Sequence, residues 1–147
     1  MTDPAARTEP FRTPIRVSYA DTDAGGVVHY ANYLTYFDVA RAEALRKLGM
    51  PVTEVEASGV LLPVEEANCS YLRSAVLDDL LEIDLWLAKV EETRFSFKYE
   101  VRRGAELLAT GSTRHAVVDR QTRRAVRYPD WLLSLFERFP RLGSAGQ

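Results

Sequence analysis

Apolar residues recur at every second position through most of the chain beyond residue 60. Leu81, Ile83, Leu85 and Leu87 alternate with Glu82, Asp84, Trp86 and Ala88, and Phe95, Phe97, Tyr99 and Val101 alternate with Ser96, Lys98, Glu100 and Arg102. Successive side chains of a strand point to opposite faces, so each stretch is a strand with one buried side. Leu61 to Tyr71 reads the same way, with Ala67, Cys69 and Tyr71 on one face, and Leu107 to Val118 is a longer, mixed strand. Turns are expected at Arg103-Gly104 and Asp119 to Thr122. Alternating strands in succession predict an antiparallel sheet with one apolar face, which another element must cover.

Ala31 to Leu48 supplies the cover. Tyr33, Phe37, Ala40, Ala44 and Leu48 recur at helical spacing, and Leu34 and Leu45 widen the stripe. Asn32 is the expected N-cap, because its side chain can accept from a free first-turn amide. Gly49 and Pro51 stop the helix. Ahead of it, Ile15, Val17 and Tyr19 alternate with Arg16 and Ser18 as a short strand, followed by a loop from Ala20 to Tyr30. Pro129 opens a short last helix through Phe136. Strand, long helix, four strands and short helix make an α+β fold in which the sheet cradles one long helix.

The 147 residues suit one domain. Residues 1–14, polar and holding Pro4, Pro10 and Pro14, are expected to be a disordered or extended lead-in, residues 15–140 the domain, and residues 141–147 a tail. The lead-in lacks the apolar stretch of a secretory signal, and no apolar run approaches the ~20 residues of a membrane helix. The single cysteine, Cys69, forms no intrachain disulfide, which fits a reducing cytoplasm, and reads as a small buried residue. A net charge of -2 argues against a general nucleic-acid binder.

The run Asp21-Thr22-Asp23-Ala24-Gly25-Gly26-Val27-Val28-His29-Tyr30-Ala31-Asn32-Tyr33-Leu34 resembles the signature of the 4-hydroxybenzoyl-CoA thioesterase-like hotdog family. Asp78 to Ile83 is similar to a second segment of that family, and the resemblance extends from about Ile15 to Phe136. It implies a hotdog fold, with a five-stranded antiparallel sheet wrapped around the helix. It implies hydrolysis of acyl-CoA thioesters, or acyl-carrier-protein thioesters in some members, with the family's catalytic carboxylate on Asp23. It also implies a homo-oligomer, a dimer or homotetramer with the active site between protomers, whose acyl pocket includes partner residues around Leu61 to Glu65 or Tyr71. The chain departs from several relatives in carrying His29 before Tyr30, where they carry Tyr then His.

Thioester hydrolysis needs an oxygen nucleophile and donors for the carbonyl oxygen as it gains charge. Asp23 can activate water as general base, or attack directly and form an anhydride. Backbone amides of Gly26, Val27, Val28, His29 and Tyr30, next to the helix N-terminus, are the candidate substrate-binding donors, since the helix dipole favours negative charge there. Asp21, the competing carboxylate, is read as a loop-shaping or partner-contact residue. His29 either reaches the thioester or packs in the loop. Tyr30 and Tyr33 line an acyl pocket or belong to the core, and His115 is structural. Arg120, Arg123, Arg124 and Arg127, or Arg102 and Arg103, are candidates for the phosphates of coenzyme A, against the favoured reading of solvated turns.

No cofactor or metal is implied. Asp21 to Gly26 hints at a calcium loop, but Gly25 falls on the fifth ligand position and Asn32 on the twelfth. Two histidines and one cysteine make no zinc site. The competing functions are a hotdog dehydratase or hydratase, which uses a histidine with a carboxylate in a different motif, and a non-catalytic acyl-CoA-binding module.

Overall fold

A computed structural model of the chain describes residues 8–142. The elements are β1 (Phe11–Arg16), α1 (Asn32–Lys47), α2 (Val52–Ala57), β2 (Val60–Leu61), β3 (Val64–Tyr71), β4 (Leu80–Val90), β5 (Arg94–Arg103), β6 (Glu106–Ala116), β7 (Val118–Asp119) and α3 (Asp130–Arg138). The long strands form one five-stranded sheet in the order β1-β4-β5-β6-β3, with every neighbouring pair antiparallel, while β2 and β7 pair separately.

The alternation read from the sequence faces α1. Leu81, Ile83, Leu85 and Leu87 of β4 and Phe95, Phe97, Tyr99 and Val101 of β5 are buried, as are Tyr33, Tyr36, Phe37, Ala40 and Ala44 of α1. Phe37 stacks on Tyr99 with ring centroids 4.1 Å apart and an interplanar angle of 11°. Gly111 of β6 lies beneath the same ring, and that absent side chain is what lets the helix lie so near the sheet. One long helix held in a five-stranded antiparallel sheet is the expected hotdog architecture.

Several local expectations are corrected. β1 begins at Phe11 and not at Ile15, so residues 11–14 of the expected lead-in are strand. Pro14 is tolerated because β1 is an edge strand and its missing N–H costs no ladder bond. Residues 1–7 and 143–147 lie outside the described residues. The two ends meet: the Thr8 N–H donates to the Arg141 carbonyl at 3.2 Å and the Arg141 N–H donates to Thr8 Oγ1 at 2.8 Å, so the start of the expected tail is part of the fold. Tyr19 leaves the strand for a 3-10 turn, Tyr19–Asp21, and is 81% exposed. The expected strand from Leu61 to Tyr71 is broken around Pro63 into β2 and β3. Pro51 ends one helix and also opens α2, its carbonyl accepting from the amides of Glu54 at 2.8 Å and Val55 at 3.1 Å.

Candidate active site

The loop between β1 and α1 is tied down through Asp21. Its Oδ2 accepts from the Ser18 N–H and from the Tyr36 hydroxyl, each at 3.1 Å. Its carbonyl accepts from the Asn32 side-chain amide at 2.8 Å and the His29 N–H at 2.9 Å. Burial, then the bond to Asp21, pushes the Tyr36 phenol well above its usual range. Asn32 is therefore no N-cap: Ala31 precedes the helix in helical conformation, and the Asn32 amide is committed to Asp21. Asp21 shapes the loop, as its sequence context implied.

Asp23 sits in a turn of its own. Its N–H donates to the Val27 carbonyl and its carbonyl accepts from the Gly26 N–H, both at 2.9 Å. Gly26 has φ +83°, which a residue with Cβ seldom adopts. The Asp23 Oδ1 accepts from the Gly25 N–H at 2.8 Å and the Val27 N–H at 3.4 Å. Oδ2 has no partner among the described residues, and Asp23 is exposed. One carboxylate oxygen is thus fixed in place and the other is open.

The candidate amides divide sharply. Gly26 and Val27 are spent on Asp23, Val28 donates to the Ala75 carbonyl at 2.9 Å, and His29 donates to Asp21. The Tyr30 N–H has no acceptor among the described residues, and neither does the Ala31 N–H beside it. The next amides turn back on the preceding turn, Asn32 to His29 at 2.9 Å, Tyr33 to Tyr30 at 3.3 Å and Leu34 to Ala31 at 3.2 Å. The two free donors stand at the positive end of α1.

Two further segments brace the loop. From β3, the Tyr71 hydroxyl donates to the Tyr30 carbonyl at 2.9 Å, and its ring meets Tyr33 edge-on at 5.1 Å. The segment before β4 bridges to Val27 through Val76. Arg103 holds this segment by donating to Asp79 Oδ2 at 2.7 Å and the Ser74 carbonyl at 3.3 Å. Burial raises the Asp79 carboxyl, but the Val76 N–H and Arg103 outweigh it and hold it below its usual value. Asp78, at φ +71°, turns the chain so that Asp78 and Val17 pair across the start of β4. Tyr71 and the run from Asp78 to Ile83 stood out in the sequence, but the bonds they make did not, because these join residues far apart along the chain.

His29 is exposed beside Tyr30, ring centroids 4.4 Å apart, and its side chain makes no hydrogen bond among the described residues. Tyr30 is 66% exposed and borders the site, whereas Tyr33 is core. Burial pushes the half-buried Cys69 thiol up, as suits an inert residue. The candidate phosphate-binding arginines are not gathered here. Arg102 pairs with Glu100 and Asp84, and Arg103 with Asp79 and Glu106. Arg120 donates to the Glu56 carbonyl of α2, and no contact among the described residues joins its turn to the Asp23 loop. His115 is buried in β6, in a structural hydrogen-bond chain.

Comparison with known proteins places the chain in a family. Residues 17–136 match the family model of the thioesterase-like superfamily. The acyl-CoA thioesterase YbgC of Haemophilus influenzae is 34% identical over 127 residues, 86% of this chain and 93% of that one. The 1,4-dihydroxy-2-naphthoyl-CoA hydrolase of Thermosynechococcus vestitus is 32% identical over 83% of this chain and 91% of that protein. The crystal structure of a DHNA-CoA thioesterase from Staphylococcus aureus superposes with a TM-score of 0.80 at 32% identity, covering 86% of this chain and 88% of that one. With this fold and this match over nearly the whole domain, the chain belongs to the thioesterase-like superfamily and is a hotdog-fold thioester hydrolase.

Proposed function

We propose that the chain hydrolyses acyl-CoA thioesters at Asp23. The observation that carries this reading is the pairing of a half-held carboxylate with two unspent amides: Asp23 Oδ1 is bound by its loop, Oδ2 is open, and the Tyr30 and Ala31 N–H groups are free at the start of α1. The thioester carbonyl oxygen accepts from those amides, and as the carbonyl carbon is attacked they stabilise its negative charge, each such donor being worth ~10²–10³ in rate. Asp23 Oδ2 either removes a proton from the attacking water, or attacks the carbonyl carbon itself and forms an anhydride that water then hydrolyses to free the acid and the carboxylate; the thiolate of coenzyme A leaves in both routes. Of the substrate-binding candidates, Tyr30 supplies the amide, Gly26, Val27, Val28 and His29 build the frame that aims it, and the His29 side chain stands at the rim.

The active unit is a homo-oligomer, a dimer or a tetramer of dimer pairs. β3 forms one edge of the sheet, and Val64, Tyr71 and Leu72 on and after it are 44%, 47% and 57% exposed. A long open edge invites a second strand, and a second copy of β3 closes it. No helix among the described residues is long and apolar enough to cross a membrane. A cytoplasmic location suits a chain whose one cysteine is a free thiol.

The test is free-thiol release from a panel of aliphatic and aromatic acyl-CoAs and from acyl carrier protein, with the assembly measured by light scattering. Hydrolysis of one or more acyl-CoAs by a dimer or larger species is expected. Tight binding of acyl-CoA with no thiol released from any substrate would leave only a binding module.

A further inference from the structure

A cavity of about 500 Å³ lies along the second half of α1, between that helix, α2, α3 and the inner face of the sheet, and Asp23 is not part of its wall. The wall is apolar over most of its surface, with Ala42, Leu45, Val55, Leu62, Phe97 and Phe139 among its residues. Asp38, Arg41, His115 and the exposed Glu56 also reach it.

Arg41 and His115, the two that face the sheet, are already committed. Arg41 pairs with Asp38 and donates to the Tyr99 hydroxyl at 2.9 Å. Tyr99 and Thr113 hydroxyls lie 2.6 Å apart, His115 Nε2 lies 2.9 Å from Thr113 Oγ1, and His115 Nδ1 lies 3.2 Å from the Leu62 carbonyl. The carbonyl can only accept, so Nδ1 carries the proton and Nε2 accepts from Thr113. Thr113 in turn accepts from Tyr99, which accepts from Arg41. Every hydroxyl and ring proton in this chain of bonds is therefore donated within it, so the chain offers a ligand no free donor and the rest of the wall is mostly apolar.

A track leads to the cavity from the free amides. Ala31, Leu34, Asp38, Ala42 and Leu45 follow one another at spacings of three or four, on one face of α1. Leu34 is an apolar side chain left 38% exposed on that face. Asp38, at the cavity mouth, lies about 9 Å along the axis from Asn32, and its charge is balanced by Arg41. A single-ring aryl acyl group, whose ring starts at the carbonyl, is too short to span that distance.

We propose that this cavity receives the end of an unsubstituted, medium-chain aliphatic acyl group, whose carbonyl sits at the Tyr30 and Ala31 amides and whose chain runs along Leu34. The assignment rests on the Asp23 reading for the position of the carbonyl, but the cavity can be tested without turnover.

The experiment compares wild type, Ala42→Phe and the milder Ala42→Leu, each checked for folding by circular dichroism and for assembly by light scattering. Thiol release is measured with acetyl-, decanoyl-, ω-hydroxydecanoyl- and palmitoyl-CoA, and binding of free decanoate by calorimetry. Filling the cavity is expected to lower kcat/KM for decanoyl-CoA by roughly tenfold or more while acetyl-CoA is unaffected, and ω-hydroxydecanoyl-CoA is expected to be a poorer substrate than decanoyl-CoA. Decanoate is expected to bind wild type and Asp23→Asn alike and to be lost in Ala42→Phe; that result without any turnover would uphold the cavity while removing the Asp23 reading. An unchanged ratio of decanoyl to acetyl turnover in both filled variants, equal use of the ω-hydroxy substrate, or a change in assembly alone, which would assign the cavity to a subunit contact, overturns the proposal.

Discussion

The ring of Phe37 occupies the space that a side chain at Gly111 would need. A Cβ there would lie 2.4 Å from both Cε2 and Cζ of Phe37 and 2.8 Å from the Asn68 carbonyl oxygen. The depth at which α1 sits in the sheet, and with it the position of the free amides at its start, depends on this contact.

Gly111→Ala is accordingly expected to destabilise the fold by ~1–3 kcal/mol through overpacking, lowering Tm by about 2–4 °C per kcal/mol. Gly104→Ala is the comparison, since Gly104 has φ +61° but nothing within 4 Å of an added methyl, so only backbone strain of ~1–2 kcal/mol opposes it. A Gly111→Ala protein that melts at the wild-type Tm would contradict the close approach.

Acid should weaken the fold through His115. Burial, then the nearby Arg41 charge, lowers its pKa from 6.5 to about 4. Between those values the unfolded chain takes up a proton that the folded chain refuses, so this contribution is complete above pH 6.5 and is lost as pH falls towards about 4. The full effect is ~3 kcal/mol. Urea titrations across this window are expected to show a shallower acid loss for His115→Gln than for wild type; parallel curves would mean that His115 is not held neutral.

On the outer face of the sheet, Arg12 grips Asp84 with bonds of 2.7 and 3.0 Å, and Asp84 is 2% exposed. Arg12→Met strands that carboxylate with Arg102 3.7 Å away and is expected to cost ~3 kcal/mol. Adding Asp84→Leu should recover most of the loss, as measured in a double-mutant cycle. Additive losses would show that the pair is not coupled.

Tyr71 holds the peptide that carries the Ala31 N–H, by donating to the Tyr30 carbonyl. Tyr71→Phe keeps the ring against Tyr33 and removes only that bond. The expected result is a fall in kcat of ~10-fold with little change in KM, and steady-state kinetics that show a change in KM alone would make Tyr71 a binding residue instead.

The fold was readable wherever its signal was local. The alternation from Leu81 to Leu87 and from Phe95 to Val101, and the helical stripe from Tyr33 to Ala44, each repeat often enough to declare a period. α2, six residues long, is too short to do so. β1 was hidden from Phe11 to Pro14 because prolines argue against strands except at a sheet edge, and which strand forms the edge is a property of the whole sheet. The site divides in the same way. The resemblance of the run from Asp21 to Leu34 to a family signature marked the Asp23 loop, but the amides of Val28 and His29 are consumed by Ala75 and Asp21, and only the folded chain reveals that Tyr30 and Ala31 are left over. Asn32 looked like a cap because its side chain is suited to one, and it was claimed by a carbonyl from the loop.

The most direct measurement is kcat for Asp23→Asn and Asp21→Asn beside wild type, on the acyl-CoA that wild type hydrolyses best, with folding and assembly confirmed for each. Asp23→Asn is expected to lose ~10²-fold or more in kcat, while Asp21→Asn, which loosens the loop through Tyr36 and Ser18, is expected to lose stability more than chemistry. An Asp23→Asn enzyme that turns over at the wild-type rate would contradict the assignment of Asp23 as the catalytic carboxylate.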